Sequence, residues 1–252
     1  AAGEMLGYDE GELIGMDFLR LIPPRYGNSW EQVERYAASG IGSAPVVGKS
    51  VEIPLLCKSG REITVQMSMA EKQAGGEKTF TAIIRDISGR KAVEEELRIL
   101  SITDTLTRLY NRRHFYSLAQ KELDRASRTK VVFSLLLADI DNFKRYNDTN
   151  GHVEGDRVLT AIGDLMLKNF RTMDSCFRLG GEEFLVLLPE SGAVGAMVAA
   201  ERLRIRFSEL EFRPVHGGGM PVTITVSIGI SEYHEGDSLE DMVRYADMAM
   251  YS

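Results

Sequence analysis

The five residues from Gly180 to Phe184, GGEEF, constrain the fold of this chain more than any other segment. Two glycines precede two adjacent carboxylates, and an apolar run that is typical of a buried strand, FLVLL, begins at Phe184. Glycine adopts positive φ at little cost and lets a bulky ligand approach the backbone, so the pair predicts a tight hairpin. Carboxylates beside such a turn can hold a hard divalent cation, which can in turn hold phosphates. We therefore predict a ligand-binding hairpin at Glu182 and Glu183.

The bulk properties of the chain narrow the function classes. Its 252 residues suffice for one large domain or two ordinary ones, with 44% hydrophobic and 27% charged residues. The formal net charge of -7 argues against binding to a nucleic-acid polymer or an anionic membrane. Two cysteines without a CxxC pair, Cys57 and Cys176, favour a reducing compartment and give no zinc signature. No apolar run in this span is as long as a membrane span, so we expect a cytoplasmic protein unless missing segments tether it.

Residues 1–87 are predicted to form a small α+β domain, with a hairpin signal at CKSGR. The predicted strands are 50–56, 62–70 and 79–85. On LGYDEGELIG, LIPPR, VEIPLLCKSGREITVQMSM and FTAIIRDIS, this region resembles a PAS domain that lacks its opening strand. The resemblance implies an antiparallel-sheet sensor of small molecules, light or redox state, or a dimerisation module. No histidine precedes His114 to ligate a haem, and Cys57 is outside a flavin-photoreceptor motif, so the PAS ligand is unknown.

Residues 88–102, SGRKAVEEELRILSI, are predicted to form a helical linker between two domains. Ser88 is the predicted N-cap, and the glutamates that follow favour a helix. Val93, Leu97 and Leu100 have the i, i+4, i+7 spacing of a coiled-coil seam. Two alternatives stay open, because this stripe can pair with a second chain or pack on its own domain.

Beyond the linker, apolar runs alternate with helical periodicity. Strands are predicted at 131–140, at 222–231 and on both sides of the GGEEF turn, and helices from 152, over 193–207 and over 238–251. The order strand–helix–strand–strand–helix–strand favours an α/β sandwich with a ferredoxin-like sheet. Such a sheet can bring Asp139, at the end of its first strand, beside Glu182 and Glu183. Converging carboxylates repel one another, and a divalent cation with triphosphate oxygens relieves that repulsion. The alternative, a solvated acidic loop, does not account for the adjoining glycines.

Five motifs in this part of the chain are similar to those of a GGDEF domain, in its GGEEF variant. They are DTLTRLYNRRHF (104–115), DIDNFKRYNDTNGHVEGDRVL (139–159), RLGGEEF (178–184), VTITVSIGIS (222–231) and ADMAMY (246–251). We place this domain at 103–252. The resemblance implies a sheet related to the palm of polymerases and nucleotidyl cyclases, flanked by helices. It also implies a bacterial diguanylate cyclase, which condenses two GTP molecules into the second messenger cyclic di-GMP and releases two pyrophosphates.

The resemblance implies a metal site at the hairpin. Asp139, the backbone carbonyl of Ile140 and Glu182 match the ligands of Mg²⁺, for which Mn²⁺ can substitute, and Glu183 is a further candidate ligand. Glu182 also matches the general base for the attacking 3′-hydroxyl. Glu182 and Glu183 are therefore predicted catalytic residues.

The resemblance also implies a substrate pocket. Lys144 and the backbone of Phe143 match the phosphate cradle, and Lys144 is a third predicted catalytic residue because it offsets transition-state charge. Asn147 and Asp156 match the guanine readers, since a carboxylate accepts from N1 and the 2-amino group and an amide can meet O6 and N3. Adenine would set an acceptor against Asp156, so GTP is expected over ATP. His152 either shapes this pocket or simply begins a helix.

An inhibitory product site is implied by Arg171 and Asp174, because Arg-X-X-Asp at this place resembles that site in the family. Arginine can fork onto a phosphate or stack on guanine, and aspartate can pair with a guanine edge. Arg202 matches a secondary arginine of the site. A surface ion pair between Arg171 and Asp174 is the alternative.

Two further expectations concern assembly and the chain end. Each domain holds one GTP while the product contains two, so the resemblance implies a homodimer whose geometry the PAS domain and the linker control. After the position of Ser252 the family continues with a lysine and an arginine that hold the triphosphate. A protein that ends here is expected to bind GTP weakly. The alternative function is a catalytically silent module that binds GTP or cyclic di-GMP, although such members generally lose acids that this chain keeps.

Overall fold

The computed structural model describes residues 1–26, 48–74, 77–215 and 220–250, so Tyr251 of the last motif lies outside the described residues. The chain divides into two compact units, Ala1–Leu97 and Arg98–Ser252. The elements of the first part are α1 (Ala2–Leu6), α2 (Glu10–Leu13), β1 (Ser50–Leu56), β2 (Glu62–Ala74), β3 (Glu77–Asp86) and the helix α3 (Ser88–Ile102), within which the division falls.

The first unit is built on an antiparallel sheet in the order β1–β2–β3. Ile63, Val65 and Met67 of β2 are buried, because alternate side chains of a strand point to the same face. They pack with Leu6 of α1 in one hydrophobic core. The strand β2 is longer than predicted, since its pairing with β3 continues to Ala74.

The N-terminus of α3 differs from its prediction. The carboxylate of Asp86 accepts a hydrogen bond from the backbone N–H of Ser88 at 2.8 Å. The Ser88 hydroxyl instead accepts from the N–H of Thr64 in β2, at 3.0 Å. The prediction of Ser88 as N-cap is wrong, because its side chain bonds to the sheet and Asp86 supplies the acceptor.

The apolar stripe of α3 is exposed. Val93, Leu97 and Leu100 are 55%, 61% and 53% exposed, so the described residues of this chain do not bury them. Of the two alternatives for this stripe, packing on its own domain therefore lacks support.

The second unit is a helix-flanked mixed sheet. Its elements are β4 (Tyr110–Asn111), α4 (Arg112–Thr129), β5 (Phe133–Ile140), α5 (Phe143–Asn150), α6 (His152–Asn169), β6 (Ser175–Gly180), β7 (Glu183–Pro189), α7 (Ala193–Ser208), β8 (Glu211–Phe212), β9 (Val222–Thr223), β10 (Val226–Glu232) and α8 (Leu239–Met250). The main sheet has the order β10–β5–β7–β6–β4, in which β4 runs parallel to β6 and the other neighbours are antiparallel. The prediction of a mixed α and β fold, with a sheet flanked by helices, is confirmed.

The inner strand β5 is buried on both faces, because helices cover both sides of the sheet. Leu136 and Ala138 belong to a core that includes residues of α6 and α7, whereas Leu135 and Leu137 pack with residues of α4 and α8. Within β5 only Asp139 is half-exposed, and it lies one residue before the strand ends. Across the described ranges, no helix is both long and apolar enough to cross a bilayer.

Candidate active site

The pairing of β5 with β7 brings the predicted acids to one edge of the sheet. Asp139 and Glu183 are direct partners in the antiparallel register. The turn between β6 and β7 has φ of 148° at Gly180 and 54° at Gly181, values that favour glycine. Glu182 lies at the tip of this turn and is half-buried, while Glu183 is exposed at the start of β7.

The electrostatics of this edge show an excess of negative charge. Burial, followed by the charges of Glu182, Glu183 and Asp141, raises the pKa of Asp139 to about 6. Within the described residues, no three Asp, Glu, His or Cys side chains lie close enough together to hold a metal ion by themselves. The donors at hand are carboxylates and the carbonyl of Ile140, the last residue of β5, and all of them are oxygens. Such donors fit Mg²⁺, which is usually held by one or two carboxylates together with water and phosphate oxygens.

The turn that follows β5 is fixed by an acid without a predicted role, Asp141. Its N–H donates to the carbonyl of Thr225 at 3.0 Å. Its carboxylate accepts hydrogen bonds from the hydroxyls of Thr225 at 2.5 Å and Ser227 at 2.6 Å. The strand predicted over 222–231 is interrupted between β9 and β10, where Thr225 contacts Asp141, while Ser227 makes its contact from within β10. In the sequence, only the position of Asp141 as the second acid of DID could have indicated this role.

The predicted phosphate cradle lies at the N-terminus of α5, a helix that the sequence did not predict. Asn142 precedes the helix with φ of 56° and forms no side-chain capping bond among the described residues. The first N–H groups of a helix lack intrahelical acceptors, and the helix dipole favours an anion there. The side chain of Phe143 is buried in the core, so its backbone is the part available to a ligand. The side chain of Lys144 is exposed.

The predicted guanine readers lie on successive helices, Asn147 on α5 and Asp156 on α6. The side-chain oxygen of Asn147 is buried and accepts no hydrogen bond from the described residues. Asp156 is exposed, and His152 is exposed at the first position of α6. Gly155, which no prediction singled out, packs directly against the Asn147 side chain.

The residues of the predicted product site surround the turn between α6 and β6. The N–H of Asp174 donates to the carbonyl of Arg171 at 3.0 Å, and the Asp174 carboxylate accepts from the N–H of Arg171 at 2.8 Å. The two side chains form no ion pair with each other among the described residues, so the alternative of a surface ion pair is not supported. Arg202 donates to the carbonyl of Asn169, the last residue of α6, at 2.8 Å. A cavity of about 480 Å³ is lined by Arg171, Asp174 and the end of α3.

Sequence reasoning also missed Arg178 of β6, which contacts both the carbonyl of Gly181 and the carboxylate of Asp104. Both residues stand in recognised motifs, RLGGEEF and DTLTRLYNRRHF. They are 74 positions apart, however, and only the folded sheet shows that they meet.

A family model matches residues of the second unit, and a curated relative matches a longer stretch of the chain. Residues 101–252 match the family described as "Diguanylate cyclase, GGDEF domain". Over 176 residues the chain is 35% identical to "Diguanylate cyclase DgcM" of Escherichia coli (strain K12), which covers 70% of this chain and 42% of that relative. The chain therefore spans less than half the length of this curated relative.

Among the similar solved structures are two that contain a GGDEF or GGEEF domain. One is the coiled coil and GGDEF domain of DgcB from Caulobacter crescentus in complex with c-di-GMP, with 28% identity and a TM-score of 0.62, covering 66% of this chain and 86% of that one. The other is the active GGEEF domain of a diguanylate cyclase from Vibrio cholerae, with 34% identity and a TM-score of 0.51, covering 56% of this chain and 88% of that one. The family match extends over more than half of the residues of this chain, and the chain therefore belongs to the GGDEF family.

Proposed function

We propose that this chain is a diguanylate cyclase, which condenses two GTP molecules into cyclic di-GMP and releases two pyrophosphates. The observation that carries the proposal is the sheet edge where Asp139 lies opposite Glu183, and Asp139 stands four residues before α5 begins. This edge combines oxygen donors for a divalent cation with a helix N-terminus for phosphate. The GGEEF turn keeps the acids that such chemistry needs, and the similar domain from Vibrio cholerae is described as active.

Asp139 and the acids of the hairpin would hold the metal, and Glu182 would prepare the nucleophile. Asp139, the carbonyl of Ile140 and Glu182 would hold Mg²⁺ or Mn²⁺, with Glu183 as a further ligand. The bound ion would supply charge neutralisation at the phosphates and lower the pKa of the 3′-hydroxyl. Glu182 accepts the proton of that hydroxyl as it attacks the α-phosphate of the other GTP.

The helices α5 and α6 bind and orient the nucleotide. The N–H groups at Phe143 and the ammonium of Lys144 hold phosphate oxygens, so charge that develops during transfer is offset there. Asp156 accepts from guanine N1 and the 2-amino group. The amide of Asn147 would meet O6 and N3 of the base, to which its NH₂ group donates.

Two copies of the chain are needed, because each GTP supplies a hydroxyl to the other. The exposed stripe of Val93, Leu97 and Leu100 on α3 supports pairing of this helix between copies. We further infer that residues 1–87 are a PAS-type sensor, supported by their antiparallel sheet, and that they regulate the approach of the two cyclase domains.

Product inhibition is the second regulatory proposal. Arg171 and Asp174 would bind cyclic di-GMP, with Arg202 as a secondary contact. The support is the cavity beside Arg171, whose guanidinium is not paired with Asp174 and so is available for a phosphate or a base.

The proposed activity is tested by incubating the full-length protein with GTP and Mg²⁺ and separating the products by chromatography. Prior phosphodiesterase treatment strips bound cyclic di-GMP. We expect product from the wild type and from Glu235→Ala, an exposed carboxylate paired with Lys130, and none from Glu182→Ala. GTP binding without any product in the wild type would instead indicate a silent binding module.

A further inference from the structure

We propose that Arg108 is a further ligand of the product cavity, where its guanidinium holds a phosphate of cyclic di-GMP. This inference rests on the proposed product inhibition, and it adds a residue to which the family resemblance assigns no role. Arg108 lies in the segment between α3 and β4.

The cavity of about 480 Å³ beside Arg171 has the size and the charge for a small anionic ligand. Sites for small ligands usually have volumes of about 300–1,000 Å³. Among the described residues, the charged side chains that line this cavity are Arg98, Arg108, Arg171 and Asp174, so cations outnumber anions. The apolar part of the lining, on which a base can pack, includes Leu109 and Phe170.

The backbone of Arg108 adopts a conformation that favours glycine. Its φ of 62° lies in the left-handed region, where the Cβ of any other residue meets a steric cost. The turn needs only the backbone of this residue, since the N–H of Arg108 donates to the carbonyl of Asp104 at 2.9 Å and glycine would keep that bond. The side chain is 70% exposed and so contributes little to the core. The reason for an arginine at this position therefore lies in what its guanidinium can bind.

An ion pair with α6 accounts for only part of that guanidinium. Nη2 of Arg108 lies 2.6 Å from a carboxylate oxygen of Asp164, whose side chain is 38% exposed. Ion pairs exposed to this degree contribute little to stability, because solvent screens them. The contact also uses only one of the five N–H groups of an arginine. The other N–H groups can donate to a phosphate in the cavity that Arg108 lines.

Two arginines suit cyclic di-GMP better than one. The molecule carries two phosphodiester groups, each with a negative charge, and two guanines. The fork of one guanidinium can hold one phosphate or stack on one base, so Arg171 alone leaves a second phosphate without a cation. Arg108 lines the same cavity and can form charge-assisted hydrogen bonds to that phosphate. Its loss should therefore weaken binding of the product even though Arg171 remains.

The first test compares Arg108→Gly with Lys130→Gly in the full-length protein, after phosphodiesterase has stripped bound product and has been removed. Lys130 is a matched control, because it also has a positive φ, of 57°, and pairs with an exposed carboxylate, that of Glu235, away from the cavity lining. We expect Arg108→Gly to raise the Kd of cyclic di-GMP about tenfold in calorimetry, the loss typical of a hydrogen bond to a charged group. Lys130→Gly should leave this Kd unchanged. Glycine relieves backbone strain in both variants, so neither melting temperature should fall below that of the wild type.

Asp164→Asn separates a ligand contact from a structural role. If Arg108 binds the product directly, removal of the competing carboxylate should keep the Kd at or below the wild-type value. If Arg108 only fastens α6 through Asp164, Asp164→Asn should weaken binding as much as Arg108→Gly does, and the proposal would be wrong.

A wild-type Kd in Arg108→Gly would overturn the proposal, as would weaker binding that comes with a lower melting temperature. If the wild type does not bind cyclic di-GMP at all, both the product inhibition and the role of Arg108 fail. Should the wild type bind cyclic di-GMP but make none from GTP, the proposed cyclase function fails, while the Kd values still decide the role of Arg108.

Discussion

The side-chain oxygen of Asn147 lies only 1.8 Å from the point where a Cβ on Gly155 would stand. The two residues belong to α5 and α6, and the helices pack this closely because position 155 carries no side chain. Since Asp156 follows Gly155 directly, the contact also sets the spacing between the two proposed guanine readers.

Gly155→Ala should therefore weaken GTP binding more than it destabilises the fold. Alanine in place of glycine within a helix usually adds about 1 kcal/mol of stability. Here the new methyl group displaces the amide of Asn147, which is the flexible end of a side chain. We expect the KM for GTP to rise about tenfold in steady-state kinetics. Gly89→Ala, whose Cβ would meet nothing within 4 Å, is the matched control. A KM equal to that of the wild type would show that Asn147 does not read the base.

Asp156→Ala should lower both the affinity for GTP and the preference for GTP over ATP. The variant removes the carboxylate that would accept from guanine N1 and the 2-amino group, and it leaves the phosphate contacts in place. We expect a loss of about tenfold or more in GTP affinity by calorimetry, since a lost hydrogen bond to a charged group costs about 1.5–3 kcal/mol. Exposed Asp148 on α5 offers a control, Asp148→Ala. Unchanged GTP binding in Asp156→Ala would refute the assignment.

Asp139→Asn should stabilise the metal-free protein at neutral and alkaline pH. Folding raises the pKa of Asp139 from 3.8 to about 6, so ionising this carboxyl costs stability as the pH rises through 6. Below the unfolded pKa both states are protonated and the cost vanishes. Because the group is partly exposed to solvent, screening limits the gain to about 1 kcal/mol.

Thermal melting in EDTA tests whether Asp139→Asn stabilises the metal-free protein. The melting temperature of Asp139→Asn should exceed that of the wild type at pH 8, and the two should converge at pH 4. A gain of the same size at both pH values would show that charge repulsion is not its cause. The same variant should make no cyclic di-GMP, since the site has lost a metal ligand.

Arg171→Ala should relieve product inhibition. Its guanidinium is the proposed partner of a product phosphate or guanine, and its removal leaves the hairpin acids untouched. We expect the inhibition constant of added cyclic di-GMP to rise at least about tenfold in initial-rate assays, the equivalent of about 1.4 kcal/mol. Arg244→Ala removes an exposed arginine that pairs with Asp241 and should leave inhibition intact. If the inhibition curve of Arg171→Ala matches the wild type, the product site lies elsewhere.

Local patterns in the sequence predicted much of the architecture. The buried run ending at Asp139, the glycine pair before Glu182 and the helices near 152 and 193 are each readable within a short window, because periodicity and turn chemistry are local properties. The α+β class and the helix-flanked sheet follow from the order of those elements. Windows of this kind missed α5, whose eight residues are mostly polar.

Contacts between distant segments were decided by the tertiary structure. Asp141 meets Ser227, 86 positions away, because β10 pairs with β5, and Arg178 meets Asp104 because β6 lies near the turn that follows α3. The prediction of Ser88 as N-cap was wrong for the same reason, since its hydroxyl accepts a hydrogen bond from the neighbouring strand β2. The sequence by itself determined which chemical groups stand at the ends of the strands and helices. Strand register and helix packing, which depend on burying both faces of the sheet at once, decided which of those groups support one another.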